Sequence, residues 1–166
     1  INPESDSLGA GYHILQSKIA LGSGGVFGKG LMEGSQSHLN FLPEKQTDFI
    51  FTMLAEELGL AGALGVILLY LLIIGYGTFI SWRSNITFGR LLSIGVIVTF
   101  FLYAFVNISM VMGLLPVVGV PLPLISYGGS AMLTLMVGFG FVLNVWINRD
   151  IKSIKRQGYF PVLNML

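Results

Sequence analysis

The sequence predicts an all-α fold: an excerpt of a polytopic membrane protein, with three transmembrane helices and a large extracytoplasmic loop that carries short helices. Three observations carry this expectation. Residues 58–82 form a run of 25 without one charged side chain, and residues 91–148 a run of 58. A helix crossing the hydrocarbon core needs about 20 apolar residues, so the first run fits one span and the second fits two with a buried connection. The connection is legible as well, because Pro116, Pro121 and Pro123 stand among Gly113, Gly119, Gly128 and Gly129, and no regular helix runs through them. The spans are therefore expected at about 58–81, 91–113 and 130–148, with a Pro/Gly loop at 114–129.

Composition agrees. Hydrophobic residues make up 54% of the chain and charged residues 10%, against about 25% charged in an average soluble domain. None of the long runs has a polar face to offer to water. A net charge of +1 excludes a basic nucleic-acid-binding surface, and the absence of Cys excludes a disulfide scaffold or a thiolate zinc site. The first residue is Ile1 rather than Met, which suggests an excerpt of a longer chain.

The near-zero total is a sum of unlike parts: net −4 over residues 1–57, +2 between the first two spans, and +3 in the tail 149–166. By the positive-inside rule, the loop 82–90 and the basic tail 149–166 face the cytoplasm, while 1–57 and 114–129 lie outside. Trp82 and Trp146 sit beside the two basic segments, as interfacial aromatics do. The neutral, apolar loop 114–129 is expected to dip into the bilayer or to pack on protein, since irregular backbone at that depth must be shielded.

Residues 1–57 carry no signal-peptide pattern. Tyr12 to Leu21 reads as a short amphipathic helix on the membrane surface. The glycine-rich stretch 22–30 is not a phosphate loop, because Ser23 and Gly30 stand where that motif needs Gly and a hydroxyl residue. It reads either as a flexible surface loop or as a lid whose amides and Lys29 approach an anion. Pro43 and Glu44 mark a helix start. Glu44 and Asp48 share a face if that turn is helical, with Lys45 between them. Such a pair suits a general base or a divalent-cation site. Asp48 equally suits an N-cap of the helix that enters the membrane, and Glu56 and Glu57 suit its acidic first turn. His13 and His38, 25 residues apart, lack metal-ligand spacing. Asn107 and Asn144 read as interhelical hydrogen bonders, and the Ala55–Gly59 and Ala61–Gly65 pairs as close helix contacts.

Several longer motifs resemble the SEDS family (shape, elongation, division and sporulation). They are Gln16-Ser-Lys-Ile-Ala-Leu-Gly-Ser-Gly-Gly, Gly28-Lys-Gly, Phe41-Leu-Pro-Glu, Thr47-Asp-Phe-Ile-Phe, Glu56-Glu-Leu-Gly and Gly113-Leu-Leu-Pro, and then Gly119-Val-Pro-Leu-Pro-Leu-Ile-Ser-Tyr-Gly-Gly-Ser130. The stretch 16–30 is closer to the rod-shape branch than to the division branch. Val118 and Ala131 depart, standing where many relatives carry a hydroxyl residue.

The resemblance implies the C-terminal part of a protein of about ten spans that polymerises peptidoglycan glycan strands. Its substrates would be lipid II and undecaprenyl-linked glycan, its place the outer face of the bacterial inner membrane, and its partner a class B penicillin-binding protein. The family's essential loop aspartate falls on Asp48, as a general base or as the holder of a cation. Lys29 and Lys45 would face the leaving diphosphate, and Glu44 would help Asp48 hold Mg²⁺ or Mn²⁺. Ser126 and Tyr127 would line the membrane side of the site. A lipid II transporter and a non-catalytic scaffold for the penicillin-binding protein are the rival classes.

Overall fold

The computed structural model describes residues 10–30 and 47–148. Four helices and no strand occur among them: α1 (Ala10–Ser23), α2 (Ile50–Arg83), α3 (Thr87–Val111) and α4 (Gly129–Ile147). The last three are each long and apolar enough to cross a membrane.

At 34 residues, α2 is too long for one span. It is broken at Gly59 (φ 68°, ψ −163°), the second residue of the uncharged run. The outer half, 50–58, keeps Glu56 and Glu57. The inner half, 60–83, is about 36 Å long at 1.5 Å per residue, enough to cross the hydrocarbon core. The spans α3 and α4 begin and end within a few residues of their expected bounds.

The three-residue connection after Arg83 makes α2 and α3 antiparallel neighbours. Close approach depends on small residues: Gly77 faces the Ile97 side chain, and Gly138 faces Val96. The expected Ala61–Gly65 contact is not made among the described residues, where both lie on an exposed face.

Three aromatic rings run through the centre of the bundle. Tyr70 on α2 meets Phe100 on α3 edge-on at 5.3 Å, and Phe100 meets Phe139 on α4 at 5.5 Å. The outward faces are exposed leucine and phenylalanine side chains, such as Leu64, Leu68, Leu71, Phe105 and Leu133. At the far end Trp146 packs on Phe79, and the Arg83 guanidinium lies 5.3 Å from the Phe79 ring centre. The C-terminal ends of α2 and α4 thus lie together, as the charge pattern expects of segments two spans apart.

Helix α1 turns Ile14, Ser17 and Ala20 inward at a spacing of three and leaves Leu15 and Ile19 exposed. Its inward face rests on protein: the Ser17 hydroxyl donates to Val111 O at 2.8 Å, where α3 ends. The inward face of this helix, expected at the membrane surface, is thus seated on α2 and α3.

Candidate functional site

Two loops meet at the C-terminal end of α3. One is the turn at 47–49 that opens α2, and the other is the irregular stretch 112–128 between α3 and α4. Phe49 and Phe51 anchor the turn in the core, beside Met110, Val111 and Leu122. Immediately before these anchors, Asp48 is only 5% exposed. Its carboxylate lies against Gly119, so that a methyl group at that glycine would come 3.4 Å from Oδ2. The N-cap position of α2 is Phe49 rather than Asp48. Asp48 therefore precedes the cap, and the capping alternative for it is not the arrangement seen.

The loop 112–128 is fastened at three points. The Tyr70 hydroxyl donates to Pro123 O at 2.6 Å, from a turn of α2 well inside the span. Asn107 Nδ2 donates to Val120 O at 2.6 Å and also to Asp48 O at 2.8 Å. The Ser126 hydroxyl donates to Thr47 O. Leu124, between two of these points, is held at φ 64°, a conformation that disfavours a residue with a side chain. The loop thus packs on protein beside a membrane span, one of the two arrangements that its composition allowed.

The glycine-rich stretch has a third role beside the two expected of it. It is stitched into the break of α2. Lys29 N–H and Gly30 N–H donate to the Glu56 and Glu57 carbonyls, and Leu60 N–H and Ala61 N–H donate to the Gly25 and Val26 carbonyls. Helix ends leave backbone groups unsatisfied, and one loop here serves the end of the outer half and the start of the inner half. The amides of 28–30 are thereby taken by backbone acceptors, which removes them from anion binding. The Ala55–Gly59 pair, expected as a helix contact, ends at this break.

Glu56 is fully buried, and its Oε1 lies 2.8 Å from Lys29 Nζ. It is not the solvated first-turn acid that its position suggested. Losing one partner of a buried ion pair leaves a desolvated charge behind. Lys29→Met is therefore expected to destabilise the fold by about 3 kcal/mol. Adding Glu56→Gln should recover at least half of that, as checked by thermal unfolding of the detergent-solubilised protein.

The structure brings Asp48 and Ser126 together through the two loops. Tyr127 follows Ser126 and is 82% exposed. Lys29 sits at Glu56, about 10 Å further along the outer half-helix. Glu44 and Lys45 lie outside the described residues, as does His38. Among the described residues no three His, Asp or Glu side chains gather into a metal site. An apolar groove of about 390 Å³ between α2 and α3, walled by Ile67, Leu71, Phe101 and Phe105, offers no carboxylate or amine for proton transfer. Asn107 and Tyr70 were not expected at the site. Their signal was faint: each is a strong hydrogen bonder in an otherwise apolar span.

The sequence profile of the FtsW, RodA and SpoVE family, described as cell cycle protein, matches residues 1–151. The chain is 59% identical over 153 residues to the peptidoglycan glycosyltransferase MrdB of Escherichia coli K12, covering 92% of this chain and 41% of that one. It is 46% identical over 145 residues to the peptidoglycan glycosyltransferase RodA of Treponema pallidum, covering 87% of this chain and 34% of that protein.

Among solved structures, it superposes with a TM-score of 0.69 at 28% identity on a chain from a study of how a peptidoglycan synthase complex coordinates polymerization and crosslinking. That match covers 89% of this chain and 39% of the other. An Asp-to-Ala mutant of the rod shape determining protein RodA from Thermus thermophilus matches with a TM-score of 0.63 at 31% identity, over 75% of this chain and 39% of that one. The chain spans about two fifths of the length of these relatives.

Proposed function

The chain belongs to the FtsW, RodA and SpoVE family, and from that membership we propose that it carries the reacting carboxylate of a peptidoglycan glycosyltransferase. The enzyme would act on lipid II at the outer face of the bacterial inner membrane, beside a class B penicillin-binding protein. Two relatives bear the name peptidoglycan glycosyltransferase, and a structural neighbour comes from a peptidoglycan synthase complex. The observation that carries the reading is Asp48: a nearly buried carboxylate on a turn that two side chains hold in place.

In the proposed step the C4 hydroxyl of an acceptor sugar attacks C1 of a donor carried on a lipid diphosphate. The new C1–O bond forms as the C1–O bond to the diphosphate breaks. The electron pair leaves with undecaprenyl diphosphate, and the hydroxyl proton passes to the Asp48 carboxylate. Attack opposite the leaving group inverts C1. A general base works within hydrogen-bond reach of its proton, and the fixed turn gives Asp48 one defined position for that task. The leaving diphosphate calls for positive charge. Lys45 is the proposed source, with Lys29 sharing its charge with Glu56, and Ser126 and Tyr127 are the proposed lining of the membrane side of the site. Asp48 and Glu44 are the candidate holders of a divalent cation. The described residues do not by themselves assemble such a site.

The uncharged runs 58–82 and 91–148 favour this chemistry over transport, since they offer a lipid head group no charge at mid-membrane. The test is reconstitution of the full-length protein with its penicillin-binding partner in proteoliposomes supplied with lipid II. Glycan strands are expected even when the partner's crosslinking is blocked by a β-lactam. Movement of labelled lipid II across the bilayer without polymer would favour the transporter, and neither product would favour the scaffold.

A further inference from the structure

We infer that Asn107 is the positioning residue for the Asp48 carboxylate, an inference that rests on Asp48 being the reacting group proposed above. Asn107 is 0% exposed and lies on α3, one turn before its end. A single nitrogen, Nδ2, spends both hydrogens on carbonyls from two different loops, Asp48 O and Val120 O. Asparagine suits this place because an amide donates two hydrogens while carrying no charge. Lysine or arginine would bury a cation there.

The geometry explains why this matters for the carboxylate. The carbonyl of Asp48 lies in the peptide plane after its Cα, and the carbonyl of Thr47 in the plane before it. Peptide planes are rigid, so two soft dihedrals link them. Asn107 pins the second plane, and the Ser126 hydroxyl pins the first. With both planes held, the direction of the Asp48 Cα–Cβ bond is fixed. The same amide also holds Val120, the neighbour of Gly119, and Gly119 is the backbone that Oδ2 rests against. Asn107 thus sets both the backbone that bears the carboxylate and the wall beside it.

The amide carries a stability cost beside the gain from its two donated bonds. Asn107 Oδ1 is buried with no hydrogen-bond partner among the described residues. An unsatisfied buried acceptor is a cost, so the side chain offsets part of what its two donated bonds contribute. The residue makes better sense as a device for placing the two loops.

The experiment compares Asn107→Leu, Asn107→Asp and the control Ser93→Ala in the full-length protein reconstituted with its partner. Rates are expressed per folded molecule. Ser93 is also a buried polar residue of α3 but lies four turns away, and its Oγ has no partner among the described residues. Asn107→Leu is expected to lower kcat for glycan polymerisation about 100-fold, the scale of a 1 Å misplacement, with KM for lipid II changed less than about twofold. Asn107→Asp keeps the side-chain shape with at most one of the two donated hydrogens and should lose only about tenfold. Ser93→Ala should match the wild type.

Wild-type kcat in Asn107→Leu, or a rise in KM with kcat unchanged, would overturn the inference. If the leucine variant does not fold, Asn107→Asp decides: unchanged kcat per folded molecule overturns the inference, and the intermediate loss supports it. Failure of the underlying reading looks different, because Asp48→Asn itself would then polymerise normally.

Discussion

Asp48→Asn is expected to lower the rate of glycan polymerisation by about 10²–10⁴-fold, the range that a positioned general base contributes. The substitution isolates the chemistry well. Asparagine has the shape of aspartate, so the contact with Gly119 and the burial of the side chain persist. The hydrogen bond from Asn107 goes to the main-chain carbonyl of residue 48, and the one from Ser126 goes to that of Thr47, so neither depends on the carboxylate. The turn should therefore survive, and the thermal midpoint should stay within a few degrees of the wild type. What is lost is the ability to accept a proton at that point. Asp48→Glu makes the complementary test. It keeps the charge but drives the carboxylate about 1.5 Å further, against the Gly119 backbone, and a displacement of that size is expected to cost about 100-fold. Initial rates from lipid II, per folded molecule, check both. A wild-type rate in Asp48→Asn would remove Asp48 from the reaction.

The parts of this arrangement differ in how far the sequence reveals them, and the difference is physical. The spans were legible because a bilayer imposes a length and forbids charge, and both constraints act on residues adjacent in the chain. The start of the inner half of α2 falls within two residues of the start of the uncharged run for that reason. Asp48 itself emerged from a local motif. The bonds that support it did not, although Ser126 was expected at the site, since Asn107 reaches Asp48 across 59 positions and Ser126 reaches Thr47 across 79. No periodicity encodes such a pairing. Asn107 was visible only as an amide in an apolar helix, and its partners turned out to be loop carbonyls rather than a neighbouring helix.

Glu56 shows the same limit from the other side. A carboxylate near a helix start has a common solvated explanation, and only the fold brings Lys29 onto it. The glycine stretch was ambiguous for a different reason. Glycine permits many backbones, so its presence signals freedom or close approach without saying which. The structure shows close approach, to the broken helix.

That close approach leads to the largest stability effect expected in the chain. Gly28→Ala should destabilise the fold by about 3 kcal/mol or more. Gly28 sits at φ 78°, and a methyl group there would collide with the Glu57 carbonyl and lie 2.7 Å from Gly59 N. The obstacles are backbone atoms of a helix end, which cannot swing aside as a side chain can. Gly59→Ala (φ 68°) should do comparable harm, since its methyl would meet Gly28 N and lie 2.7 Å from Val26 O.

Two other glycines separate the causes. Gly25 has φ 56° but nothing within 4 Å of the added carbon, so alanine there should cost only the strain, about 1 kcal/mol. Gly65 is helical with open space around it, and alanine should be neutral or slightly stabilising. Thermal unfolding followed by loss of helical circular dichroism in detergent should rank the variants in that order. The effect should extend to activity, because the half-helix that this stitch orients directly follows the turn that carries Asp48. Loosening the stitch frees the whole half-helix to tilt, and the carboxylate tilts with it. If Gly28→Ala proved no worse than Gly25→Ala, the loop would not be clamped on the broken helix.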